Sequence, residues 1–157
     1  MSILKELGFP KEVGSPDEEL IYNIGRLYLY LEKELTGFFK AYGLTPAKFN
    51  VLLVIKHIGE ANGITQNEIS QKLFVSETGI TRLIDKLEKD SLVKRFQKAG
   101  DRRVNLIKIT KKGQDVIDKT WPKFLEKIKE LTKGIPQKNK STITAILSLW
   151  RNNLIAS

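Results

Sequence analysis

Few folds accommodate two short capped helices, separated by a tight three-residue turn and followed at once by a basic pair of strands. "TQNE" at Thr65–Glu68 sets a hydroxyl three residues ahead of a carboxylate, the pairing that satisfies free amides at a helix start from both directions. Ile69 and Leu73 follow at helical spacing and predict a helix of about two turns. After "FVS", Ser76 caps a second helix whose Ile80, Leu83, Ile84 and Leu87 face inward. "LVKRFQ" then predicts a strand, "KAGDRRVN" a turn, and "LIKIT" the returning strand, with Leu106 and Ile109 packed inward.

The flanks are helical. "SPDE" at Ser15–Glu18 combines a capping box with proline at the first helical position. Leu20, Ile24, Leu27, Tyr28, Leu31, Leu35, Phe38, Phe39 and Tyr42 recur behind it at three- and four-residue steps, predicting one helix from Pro16 to Ala41 that Gly43 stops. In "LTPAKFNVLLVIKHIGEANG", Thr45 caps, Pro46 opens, and Phe49, Leu52, Leu53, Ile55 and Ile58 form the buried face. Beyond the strands a helix is expected from Thr110 to Thr132, with a kink or break at Pro122, which lacks the amide for one intrahelical bond. A last helix, from Pro136 or Ser141 to Ile155, carries Ile143, Ile146, Leu147, Trp150 and Leu154 on one face. The order is mainly α, an α+β fold whose centre reads as a winged helix-turn-helix.

Charge is uneven along the 157 residues. The net is +9, yet Met1–Leu44 carries −2, whereas Thr65–Gly113 holds twelve basic and six acidic residues. A basic middle built around a recognisable fold element points to nucleic acid. With no cysteine and one histidine, His57, there is no thiolate or histidine cluster for a metal. His57 reads as a packed or partly exposed helix residue. A Gly-rich phosphate loop and paired carboxylates in a motif are also missing, so neither an enzyme nor a cofactor is expected. No run reaches ~18 apolar residues, and the start lacks the layout of a signal peptide. The expected location is cytoplasmic, without a membrane partner.

"LTPAKFNVLLVI", "TQNEISQKLFVSETGITRLIDKLEKDSLVKR" and "DRRVNLIKITKKG" together resemble the multiple-antibiotic-resistance-regulator (MarR) family of bacterial and archaeal transcription factors. The likeness is close over Leu44–Gly113, and helix order extends it over nearly the whole chain. Ser91 departs from it, standing where the family usually has glycine at the end of the recognition helix. The resemblance implies one MarR-type domain over residues 1–157, with a winged lobe at 45–112 and dimerisation helices at 1–44 and 113–157. It further implies a homodimer, acting as a repressor, that grips a palindromic operator in double-stranded DNA. Many members loosen their grip when a small-molecule effector binds, and the sequence does not mark a pocket for one. A ligand-independent architectural DNA binder and a winged-helix protein-interaction module are the alternatives.

Within this frame Ser76, Glu77, Thr78, Gly79, Thr81 and Arg82 form the half of the recognition helix that points at base edges. Arg82 suits a guanine or a phosphate, and Thr78 and Thr81 suit thymine. Gly79 permits close approach or serves packing. Glu77 accepts from a cytosine amine or complements the helix N-terminus. An ordinary surface helix with an Arg82–Asp85 ion pair would use the same residues. Thr65, Gln66 and Asn67, with Thr45 and Lys48, are candidate phosphate contacts as well as helix caps. In the wing, Lys98, Arg102 and Arg103 are the candidate DNA contacts. Arg103 matches the family position that enters the minor groove and Arg102 is better placed for phosphate, or the two exchange roles. Asp101 braces an arginine by a charge-assisted bond; a solvated tip with an Asp–Arg pair would look the same. The aromatic stripe from Tyr22 to Trp150 reads as core or subunit interface. The first and last helices carry more apolar surface than such a lobe hides, and a second copy would cover it.

Overall fold

Helix α2 (Pro16–Lys40) starts where local chemistry demands. The Ser15 hydroxyl accepts from the Glu18 amide at 3.2 Å, and the Glu18 carboxylate accepts from the Ser15 amide at 2.8 Å. At the other end Gly43 takes φ 68° and the Leu44 amide reaches back to the Phe39 carbonyl, a left-handed stop that glycine adopts without strain. The structure is a computed structural model and describes residues 2–8, 14–59, 62–73, 77–98 and 100–156, with Glu77 and residues 101–103 defined through the backbone alone. These residues divide into two compact units, Met1–Thr120 and Trp121–Ser157.

In the first unit a short helix, α1 (Ile3–Glu6), precedes α2 and buries Ile3 and Leu4. It was not foreseen, being too short to show a period. Helix α3 (Pro46–Ile58) is capped by the Thr45 hydroxyl, which accepts from the Lys48 amide. Its buried residues are Phe49, Val51, Leu52 and Ile55, with Phe49 stacked against Phe39 at a centroid distance of 4.5 Å. Ile58, expected in that face, is half exposed in the last turn, and Val51 takes a core place instead.

Strand β1 (Ile64–Thr65), helix α4 (Gln66–Leu73) and helix α5 (Glu77–Lys89) follow. Strands β2 (Val93–Lys98) and β3 (Asp101–Ile109) complete an antiparallel sheet ordered β1-β3-β2. Arg95 pairs with Ile107 and Val93 with Ile109, so these four share the face turned to the helices. Ile107 is fully buried there. Leu106, expected inside, instead pairs with Phe96 on the other face, where Lys108 lies 4.6 Å from the Phe96 ring centre. The parity came from strand pairing, which a single run of apolar residues does not display.

The core is continuous through Phe39, Phe49, Leu52, Ile55, Ile69, Ile80, Ile84, Leu87, Ile107 and Ile117, each at most 1% exposed. Helix α6 (Lys111–Leu131) is capped by Thr110 and contains Pro122 without being broken by it. In the second unit Trp121 and Phe124 pack at 6.0 Å, and helix α7 (Gln137–Ala156) buries no residue in this single chain.

Candidate nucleic-acid interface

Helix α5 divides cleanly by face. Ile80, Ile84 and Leu87 are completely buried, whereas Thr78 and Arg82 are exposed and Gly79 and Thr81 are half-buried. The side chains of Arg82 and Thr78 make no hydrogen bond or ion pair with any described residue. The Arg82–Asp85 pair of the alternative surface-helix reading does not form; Asp85 bonds Arg95 instead. Ser76 lies outside the described residues, and Glu77 opens α5 with only its backbone described.

Helix α4 is built by its capping box. The Thr65 hydroxyl accepts from the Glu68 amide, and the Glu68 carboxylate accepts from the Thr65 amide at 2.8 Å and from its hydroxyl at 2.7 Å. Those bonds, with Lys98 and Lys72 nearby, hold the Glu68 carboxyl below the usual carboxylate range despite some desolvation. Gln66 turns toward α5, its amide donating to the Thr81 hydroxyl at 3.0 Å. Asn67 is exposed and accepts from Gln71. Thr45 is exposed and bonded to its own helix start, and Lys48 is taken up by Asp90 at 2.6 Å.

The wing differs from its expected form. Strand β2 ends at Lys98 and β3 begins at Asp101, so the connection is two residues long and not the whole of "KAGDRRVN". The ladder runs regularly to Gln97↔Asn105 and then jumps to Lys98↔Asp101. Arg102, Arg103 and Val104 therefore stand opposite no residue of β2. Such a bulge bends the strand and re-aims side chains. The double arginine thus sits beside the tip, within the strand, and Lys98 is exposed at the end of β2. Side chains of Asp101, Arg102 and Arg103 lie outside what the structure describes, and with them the brace and groove roles.

Sequence reasoning missed Arg95. It is the centre of the polar contacts joining sheet to helices, bonded to Asp85, Glu88 and Gln66. Desolvation works against its charge, but the hydrogen bonds it donates to Asp85 and Glu88 outweigh that and hold the guanidinium above its ordinary range. The available signal was its parity with Val93, a charge on the inward face of a strand. Among the described residues no group of three or more His, Cys, Asp or Glu could hold a metal ion. No helix there is long and apolar enough to cross a membrane.

Residues 42–104, spanning α3 to the bulged wing, match the MarR family model. HTH-type transcriptional regulator PecS of Dickeya dadantii is 23% identical over 136 residues, covering 87% of this chain and 82% of that protein. HTH-type transcriptional regulator MhqR of Bacillus subtilis is 26% identical over 129 residues, covering 82% and 87% respectively. Over residues 42–104 the chain is similar to the MarR family. A mutant MarR from E. coli, solved in complex with operator DNA, superimposes with a TM-score of 0.76 at 24% identity, over 86% of this chain and 97% of that one. The two residues of the short β1 pair with β3 at the root of the wing. Within this MarR-like lobe Ser91, the departure from glycine, adopts φ 60°.

Proposed function

We propose that the protein is a sequence-specific, DNA-binding transcriptional repressor that holds a palindromic operator as a homodimer and releases it on binding a small-molecule ligand. The observation that carries the reading is the pairing of opposites on α5: a locked apolar face and, behind it, Thr78 and Arg82 exposed without a described partner. A salt-bridged surface helix would have satisfied Arg82. Likeness to the operator-bound MarR supports the fold that such docking needs.

In this reading Ser76, Glu77, Thr78, Gly79, Thr81 and Arg82 face the major groove, Thr81 steadied by Gln66. Lys98, Arg102 and Arg103 serve the wing, the two arginines belonging to the segment of β3 that β2 leaves unpaired. Thr45, Thr65 and Asn67 are near phosphates, whereas Gln66 and Lys48 are engaged with Thr81 and Asp90.

The whole of 1–157 works as one MarR-type domain, the lobe at 45–112 reading DNA and residues 1–44 and 113–157 joining two copies. Exposed apolar residues support that division: Leu27, Tyr28, Leu29 and Tyr30 on α2, and in the second unit Ile146, Leu149, Leu154 and Ile155 on α7. A cavity of about 430 Å³ supports ligand control, because its lining joins α2 through Tyr28 and Glu32 to α3 through Asn50, α4 through Leu73 and α5 through Leu83. A ligand there would touch both the helix that reads bases and the helix that joins subunits. The protein acts in the cytoplasm, where its DNA is.

Selection of genomic fragments by the purified protein tests the proposal. Enrichment of a two-fold symmetric sequence is the expected outcome; recovery of fragments without a shared sequence contradicts it.

A further inference from the structure

Arg95 stands where an apolar residue would ordinarily sit. Its register partner is Ile107, fully buried, and its strand neighbour on the same face is Val93, 2% exposed. The side chain is 25% exposed, and its backbone amide and both terminal nitrogens are committed. The backbone amide donates to Glu88 Oε1 at 3.1 Å and Nη1 donates to Glu88 Oε2. Nη2 donates to Asp85 Oδ1 at 2.6 Å and to Gln66 Oε1 at 3.2 Å. Gln66 passes the connection on, its Nε2 donating to Thr81 Oγ1 at 3.0 Å. One strand residue thus bonds α5 directly at Asp85 and Glu88 and, through α4, at Thr81.

Those three anchor points lie four and three residues apart, which places them in a single stripe along α5. Thr78 and Arg82 adjoin the same stripe. A helix held only by Ile80, Ile84 and Leu87 can turn slightly about its long axis with little change in apolar burial, since dispersion contacts are non-directional. Hydrogen bonds are directional, and a polar stripe on the side of the helix opposes that rotation. Base contacts tolerate errors of only roughly 0.5 Å and 10–20°. With both terminal nitrogens engaged inside the lobe, Arg95 is not placed to grip a phosphate itself.

We infer that Arg95 is a positioning residue for base readout, setting the rotation of α5 through Asp85 and Glu88 and, by way of Gln66, through Thr81. This rests on the DNA-reading role proposed above and adds a residue that touches no DNA. It also assigns Gln66 a different duty: its amide orients Thr81 and does not seek phosphate.

The test compares two affinities in the full-length protein: for the tightest duplex that the wild type selects from a random pool, and for random duplex. Arg95→Lys keeps the positive charge but cannot span three acceptors. Gln66→Leu removes only the neutral link. Melting curves by circular dichroism establish that each variant is folded. The ratio of selected to random affinity is expected to fall roughly tenfold in Arg95→Lys, the scale of one lost base contact, and roughly threefold in Gln66→Leu. Random-duplex affinity should stay within about twofold, because phosphate contacts supply nearly all of it. A folded variant that keeps the ratio, or that loses both affinities equally, overturns the inference. If Arg95→Lys fails to fold, Gln66→Leu decides alone. A wild type without any preference between duplexes would instead overturn the regulator reading itself, and the role of Arg95 with it.

Discussion

The ammonium of Lys48 lies 2.6 Å from a carboxylate oxygen of Asp90, tying the first turn of α3 to the residue just beyond α5. The Lys48 side chain is 15% exposed and that of Asp90 41%, so the pair is partly shielded from water. Lys48→Met should lower unfolding free energy by about 1 kcal/mol, between the ranges for exposed and buried pairs. A double-mutant cycle with Asp90→Asn, read by urea denaturation, should show coupling of similar size. Random-DNA affinity should keep its salt dependence. A slope smaller by about one would return Lys48 to the phosphate backbone.

Ser91 ends α5 with φ 60°, its amide bonded to the Glu88 carbonyl while the Leu92 amide reaches Leu87. This left-handed position strains any residue with a Cβ. Ser91→Gly should therefore stabilise the protein by about 0.5–1 kcal/mol after the entropy cost of glycine. A thermal melt should rise by a few degrees. A lower midpoint would mean that the Ser91 side chain contributes more than its strain costs.

Glu68 gives a pH prediction. Its carboxyl titrates below the ordinary glutamate range in the folded lobe because Thr65 bonds the charged form. A depressed folded value means that the contribution is complete above the unfolded value and is lost as pH falls through the folded one. Urea midpoints followed downward from pH 5.5 should decline less steeply in Glu68→Gln, which retains a capping side chain without a titrating proton. Equal slopes would show that Glu68 is not a source of the acid sensitivity.

Arg103 lies in the unpaired segment of β3. If the bulge directs it into a minor groove, Arg103→Ala should weaken operator binding at moderate salt while the melt and the oligomeric state stay unchanged. Unaltered affinity would remove the wing from the contact surface.

What could be read in advance was local. Ser15 with Glu18, Thr45 with Pro46, and Thr65 with Glu68 each announce a helix start within four residues, and all three caps form. The family likeness likewise lay in contiguous motifs. What escaped depended on distant pairing. Leu106 and Ile107 are equally apolar neighbours, and only the pairing of Arg95 with Ile107 decides which one enters the core. Strand β1 has two residues and no period to detect. The stripe of α2 was visible, yet Phe39 is its only fully buried member in the single chain. Helix α5 was legible because its buried face follows a 3.6-residue period. The partners of Lys48 and Gln66 were not, since Asp90 and Thr81 lie 42 and 15 residues away in sequence.

Base reading by α5 is tested most directly at Arg82, an exposed cation that no described residue engages. Affinities of wild type and Arg82→Ala should be measured by fluorescence anisotropy against the selected operator and every single-base variant of one half-site. Discrimination should fall by about 1–3 kcal/mol at one position per half-site and persist at the others. A uniform loss over all variants, with a shallower salt dependence, would make Arg82 a phosphate contact and contradict base readout from this face.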